Sequence, residues 1–264
     1  MNLLEQCFLD KKPKFIPYIS LGDPEYALSV EWAKSLLNGG ADILELGIPF
    51  SDPVADGPVI QKSYMRSLSK GFSMKKVFDT TLAIHNFKKN IPLLYLTSFN
   101  PILSYGIQEF FERAEEVGIT GVVIPDLPFD SKDFIEAFIQ AKKFNICIIQ
   151  MVTPSSSKER VLKLKKYSSG FIYYVTSYGV TGERSTFGSD LKKKILETKK
   201  IFSLPVCAGF GISKPEQSKE ISKYADGIII GSAVQRIIEE KSNHVDACAK
   251  ALVDYAREIS NSII

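Results

Sequence analysis

Short apolar or β-branched runs alternate along the chain with segments in which apolar residues recur every three or four positions. Eight of the runs read as strands: 15–19 (Phe-Ile-Pro-Tyr-Ile), 42–46, 92–97, 120–124, 146–151, 171–175, 204–207 and 226–230. Between them lie helical stripes. Tyr26, Val30, Ala33 and Leu37 share one face, Ile107, Phe110, Phe111, Ala114 and Val117 another, and Phe134, Ala137, Phe138 and Ala141 a third. The last stripe carries Val245, Cys248, Leu252, Tyr255, Ala256 and Ile259. Alternating strands and helices imply parallel pairing, because a parallel neighbour needs a crossover and the helix supplies it. Eight such units close a (β/α)8 TIM barrel, an α/β architecture of about 250 residues. No Ser/Gly-rich linker divides the 264 residues, so the expectation is one barrel domain over 1–264 with a short N-terminal helix. A doubly wound open sheet would show a Gly-rich dinucleotide turn after its first strand, and Leu21-Gly22-Asp23-Pro24 stands there instead.

Composition narrows the function classes. The chain is 45% hydrophobic and 24% charged, ordinary for a globular protein, and a formal charge of +3 is too small to point to nucleic acid or an anionic membrane. The lysines at 192–194 and at 163, 165 and 166 fall in helix-like segments and read as solvated faces. Four cysteines, Cys7, Cys147, Cys207 and Cys248, are scattered without metal-type spacing and fit a reducing cytoplasm. No apolar stretch approaches the ~20 residues that cross a bilayer, and MNLLEQCFLD lacks the features of a signal peptide.

Chemistry concentrates between Glu45 and Pro58, in ELGIPFSDPVADGP. Two carboxylates, Glu45 and Asp56, bracket a loop whose Gly and Pro content suits a fixed shape more than regular structure. Glu45 would end the second strand, at the barrel face where such enzymes keep their chemistry. Asp126 and Asp23 also fall near strand ends. Tying a loop to backbone N–H groups explains Asp23 and Asp52, and for Asp126 the structural and the chemical roles both stand. Glycine-bearing segments follow the last three strands: Gly179-Val180-Thr181-Gly182, Gly209-Phe210-Gly211 and Gly231-Ser232-Ala233. Together they suit a phosphate, since glycine lets backbone N–H groups approach an anion and the loops after the last strands of such barrels often hold one. The segment from Gly179 to Phe187 reads as a lid over a bound substrate. His85 lies in a helical run and His244 opens the last helix, so neither is a candidate base or ligand. Without clustered His and Cys a transition-metal site is disfavoured, as is a Schiff-base lysine, since no strand ends in one. Carboxylates are left to move the protons.

These motifs, in this order and spacing from Phe15 to Ile259, closely resemble the α subunit of tryptophan synthase. The resemblance implies cleavage of indole-3-glycerol phosphate to indole and glyceraldehyde 3-phosphate, with Glu45 and Asp56 as the catalytic acids. It implies a ring pocket of Tyr18, Leu96, Val123, Met151, Tyr173 and Phe210. Phosphate contacts are implied at Gly182, Gly211, Gly231 and Ser232, with Thr181 bonded to a catalytic carboxylate once the lid shuts. No cofactor is implied for this chain. Pyridoxal phosphate is expected only in a partner β subunit, joined in an αββα assembly through the loop from Pro49 to Pro58 and the segment near Asn100. The family commonly carries Tyr-Tyr-Asn-Pro after the third strand. Here Ser98-Phe99-Asn100-Pro101 removes a ring and leaves room at the site.

Two rival readings remain beside it. A phosphosugar isomerase or epimerase would share the phosphate turns and a carboxylate base but gives no reason for the rigid loop from Glu45 to Asp56. A subunit that only activates a partner would have no need of both acids and the lid.

Overall fold

The computed structural model describes residues 1–54, 56–176, 189–209 and 211–263. The chain runs α1 (Leu3–Cys7), β1 (Lys14–Ser20), α2 (Tyr26–Asn38), β2 (Leu44–Gly47), α3 (Pro58–Ser69), α4 (Met74–Phe87) and β3 (Leu93–Leu96). It continues through α5 (Phe99–Tyr105), α6 (Ile107–Glu116), β4 (Ile119–Val123), α7 (Lys132–Lys143), β5 (Cys147–Ile148), β6 (Gln150–Val152) and α8 (Lys158–Leu164). Then come β7 (Ile172–Val175), α9 (Ser189–Phe202), β8 (Val206–Gly209), α10 (Pro215–Ser222), β9 (Gly227–Ile230), α11 (Ser232–Lys241) and α12 (Val245–Ser262).

All pairings are parallel, in the order β5-β4-β3-β2-β1-β9-β8-β7-β6. The two end members, β5 and β6, are successive pieces of one strand on either side of Ile149, so the ring is completed through the chain itself. This is the expected TIM barrel, with its fifth strand divided: Cys147 and Ile148 bond β4, and Gln150 to Val152 bond β7. The other strands lie within a residue or two of the apolar runs that announced them. A strand buried on both faces reads as a continuous hydrophobic run.

The core has two layers. Between strands and helices lies the larger one, into which the predicted stripes turn: Phe110, Phe111 and Ala114 of α6, Phe134, Ala137 and Ala141 of α7, and Cys248, Leu252, Ala256 and Ile259 of α12 are buried. Val245 at the start of the last stripe is exposed. The smaller layer fills the barrel itself with Ile16, Ile43, Leu94, Val123, Ile149, Phe171, Cys207 and Ile229.

The N-terminal helix closes the end of the barrel opposite the strand tips. Leu4 is fully buried in the inner layer, and a Cβ added to Gly121 or Gly170 would meet Leu4 Cδ2 at 3.0 or 2.8 Å, so glycine at those positions admits the plug. The Asn2 amide, which also caps α1, donates to the Thr120 and Asn145 carbonyls at 2.8 and 3.0 Å. Among the described residues no helix is long and apolar enough to cross a membrane.

Candidate active site

Register sets the first part of the site. On adjacent strands Tyr18 of β1 pairs with Glu45 of β2, and with a period of two along each strand Glu45 and Gly47 face the same way. Gly47 is where Tyr18 needs space: a Cβ there would stand 2.0 Å from the Tyr18 hydroxyl oxygen. Gly209 does the same for Tyr173, whose ring would lie 2.7 Å from an added Cβ. Both aromatic rings are thus admitted to the barrel mouth by a glycine on the neighbouring strand.

Beyond β2 the chain passes through Ile48 to Asp56 and enters α3 at Gly57-Pro58, with proline at the first helical position, where its missing N–H costs nothing. This turn returns Asp56 over the strand ends. A cavity of about 640 Å³, its open mouth included, is lined by Glu45 and Asp56 together with Tyr18, Leu96 and Tyr173. Gly211, Gly231 and Ser232, from the turns after β8 and β9, form another part of its wall.

Glu45 is 1% exposed, and its Oε1 has no hydrogen-bond partner among the described residues. Burial, and after it the charge of Asp56, push its pKa up to about 8. Burial raises Asp56 to about 6. Near neutral pH one acid therefore holds its proton while the other is ionised. Two carboxylates with separated proton affinities in one cavity can divide the work of acid and base.

Behind the acids lies a chain of buried hydroxyls. Tyr18 donates to the Tyr64 oxygen at 2.9 Å and lies 3.0 Å from Ser20 Oγ, which is 2.6 Å from Ser63 Oγ, and Ser63 donates to the Ile60 carbonyl. These groups fix the Tyr18 ring against the cavity. Tyr64 also borders a small recess of about 240 Å³, mouth included, shared by Asp56, Leu96, Ser98 and Asp126. The recess occupies the side on which Ser98 leaves room.

The structure brings together Glu45, Asp56, Tyr18, Leu96, Tyr173, Gly211, Gly231 and Ser232 of the residues singled out from the sequence. Val123 and Met151 share the inner barrel layer with Tyr173 and Leu96. Val123 is fully buried in the inner barrel layer, Met151 packs against that layer, and neither is among the residues that line the cavity. Thr181, Gly182, Phe210 and the lid segment from Gly179 to Phe187 lie outside the described residues.

Asp126 accepts the Phe99 backbone N–H at 2.9 and 3.2 Å, capping α5 from a neighbouring loop. Asp23 is held in a way the sequence did not announce: it accepts from the Arg66 guanidinium at 2.7 and 2.8 Å and from the Gln235 amide at 3.2 Å, side chains where backbone N–H groups were expected.

Several wall residues carried no signal in strand-end reasoning: Ile60 of α3, Ile212 and Ser213 beyond β8, Ile229 of β9, and Arg236 of α11. Helical spacing could have found two of them. Ile60 and Tyr64 are four apart just after Gly57-Pro58, and Arg236 is four beyond Ser232.

With this geometry in view, the sequence matches the family model described as tryptophan synthase alpha chain over residues 4–263. The chain belongs to the tryptophan synthase alpha chain family. It is 55% identical over 263 residues to the tryptophan synthase alpha chain of Leptospira interrogans serogroup Icterohaemorrhagiae serovar copenhageni (strain Fiocruz L1-130), covering 100% of both chains. Tryptophan synthase subunit alpha from Legionella pneumophila str. Paris superimposes with a TM-score of 0.87 at 30% identity, covering 99% of each chain. A solved chain from Aquifex aeolicus VF5 gives a TM-score of 0.89 at 30% identity, over 100% of this chain and 99% of that one. As a tryptophan synthase alpha chain the protein is a lyase with the alpha-subunit function in tryptophan biosynthesis.

Proposed function

We propose that this chain cleaves indole-3-glycerol phosphate to indole and glyceraldehyde 3-phosphate, with Glu45 moving the protons and Asp56 holding the ring N–H. The observation that carries the proposal is the pair of acids, Glu45 buried with a pKa of about 8 and Asp56 partly buried with one of about 6, facing a single cavity with the turns at Gly211 and Gly231.

A retro-aldol cleavage needs an electron sink. Protonation of the indole ring at C3 by Glu45 makes an indolenine whose C=N⁺ is that sink. Its positive charge develops at the nitrogen, beside the Asp56 carboxylate. Glu45, now ionised, takes the proton from the hydroxyl on the side-chain carbon attached to the ring. The O–H electrons form the aldehyde C=O, the bond between that carbon and C3 breaks, and its electron pair restores the aromatic ring. Glu45 ends protonated as it began. The ring supplies the sink, so the chain's own step is written without a cofactor, and pyridoxal phosphate belongs to the partner β subunit.

The same reading assigns the ring to Tyr18, Leu96 and Tyr173, with Val123, Met151 and Phe210 completing its pocket, and the phosphate to Gly211, Gly231 and Ser232, with Gly182 joining them and Thr181 reaching a carboxylate. The whole of 1–264 acts as one barrel domain in the cytoplasm and joins a β subunit in an αββα assembly. Val54 at 81% exposure, with Leu103 and Tyr105 exposed on α5, supports a contact face along the Pro49–Pro58 loop and the Asn100 segment.

The test uses purified chain, indole-3-glycerol phosphate and a colorimetric indole assay, with and without β subunit. Indole release by the chain alone, lost in Glu45→Gln, is the expected result. Turnover of other phosphosugars without indole release would favour an isomerase, and stimulation of a β subunit by a chain that releases no indole would favour a pure activator.

A further inference from the structure

Among the described residues that line the cavity, Arg236 is the one cation; the other charged groups in the wall are Glu45 and Asp56. A phosphate monoester carries a charge of about −1.5 to −2 near neutral pH. Seating it in the same cavity as ionised Asp56 calls for positive charge close by, because like charges at short range in a partly buried site repel strongly.

The placement of Arg236 answers that requirement. Ser232 is the first residue of α11, with Gly231 before it, and Arg236 follows one turn later on the same face. Side chains on a helix lean toward its N-terminus, so an arginine at this position is within reach of the turn where the helix leaves its first N–H groups without intrahelical partners, and it lines the same cavity as that turn. Gly211 and Ser213 of the preceding turn border the same cavity.

We propose that Arg236 is a phosphate-binding, specificity-determining residue, whose guanidinium joins Gly211, Gly231 and Ser232 around the substrate's phosphate and confers preference for the phosphorylated tail. The inference rests on the reading above that the phosphate sits at these turns.

The experiment measures kcat and KM for indole-3-glycerol phosphate, and Kd for glycerol 3-phosphate by calorimetry, in wild type, Arg236→Gln and Arg236→Lys. In the Gln variant both KM and Kd rise about 10- to 100-fold, the scale of one charge-assisted bond, while kcat falls by less. The Lys variant keeps the charge and loses the fork, and falls between the two. Binding by wild type weakens with added salt more steeply than binding by the Gln variant. A Gln variant with wild-type thermal melting that binds glycerol 3-phosphate as wild type does, or whose loss falls on kcat alone, overturns the role of Arg236. Should wild type itself bind no glycerol 3-phosphate, the phosphate reading fails and Arg236 with it.

Discussion

Two fully buried acids at the mouth of this barrel are held in opposite ways. Asp23, after β1, is 0% exposed and meets a bidentate guanidinium and an amide, which link the first loop to α3 and α11. Glu45, at the end of β2, is 1% exposed, yet its Oε1 has no hydrogen-bond partner among the described residues. A buried carboxylate with an unpaired oxygen is costly as an anion, which pushes its pKa up to about 8. The partnered acid serves the fold, and the lone acid is available for chemistry. Depth of burial does not separate them; what surrounds each carboxyl group does.

The largest effect that sharpens this contrast is on turnover. Glu45→Gln is expected to lower indole formation about 10⁴-fold, the upper end for a general acid-base group, because in the proposed reaction the same carboxyl both gives and takes the proton. Circular dichroism should show the fold unchanged. A Gln variant that retains a tenth of wild-type turnover would break the assignment. Asp56→Asn is expected to cost about 10²- to 10³-fold in kcat, the scale of one electrostatic contact to a developing charge. In wild type, kcat/KM should fall below about pH 6 as Asp56 gains a proton and above about pH 8 as Glu45 loses one. A profile flat across that range would contradict the division of labour.

Asp23→Asn should act on stability instead. Losing one partner of a buried ion pair leaves the other uncompensated, and with Arg66 partly exposed the loss is about 2–4 kcal/mol in urea unfolding, while kcat at saturating substrate stays near wild type. If Asp23→Asn instead removed turnover without lowering stability, the comparison would fail on its structural side.

The smallest effect is a pH-dependent stability difference. The folded pKa of Glu45 lies above its ordinary value of 4.5, so the stability it permits is fully present below that value and is lost as pH rises through about 8. Glu45→Gln lacks this loss. Its stability relative to wild type should therefore grow across that window, and equilibrium unfolding at about pH 5 and about pH 8 would show it.

The barrel was legible because parallel strands buried on both faces are apolar runs, and helices between strands and solvent are amphipathic stripes. Strand ends could be located to a residue or two, which sufficed to bring Glu45 and the glycine turns to one mouth. The division of the fifth strand at Ile149 was not legible, since 146–151 reads as one run, apolar but for Gln150, and a single polar residue does not show where the pairing passes from β4 to β7. The α1 plug was anticipated only as a short helix: a single leucine fitting against Gly121 and Gly170 leaves no periodicity. Tyr64 and Arg236 project from helices, where sequence gives the spacing of a face but not which face overhangs the strand tips. Val123 and Met151, near strand ends, pack in the inner barrel layer beside Tyr173 and Leu96, and sequence alone does not tell a residue of that layer from one of the cavity wall.

The most direct test is an isotope-edited infrared titration of the Glu45 carboxyl group, its band identified by loss in Glu45→Gln. The account predicts a protonated carboxyl near neutral pH that ionises at about 8. Ionisation near the ordinary value of 4.5 would contradict it, because an acid already charged at neutral pH could not deliver the first proton to the ring.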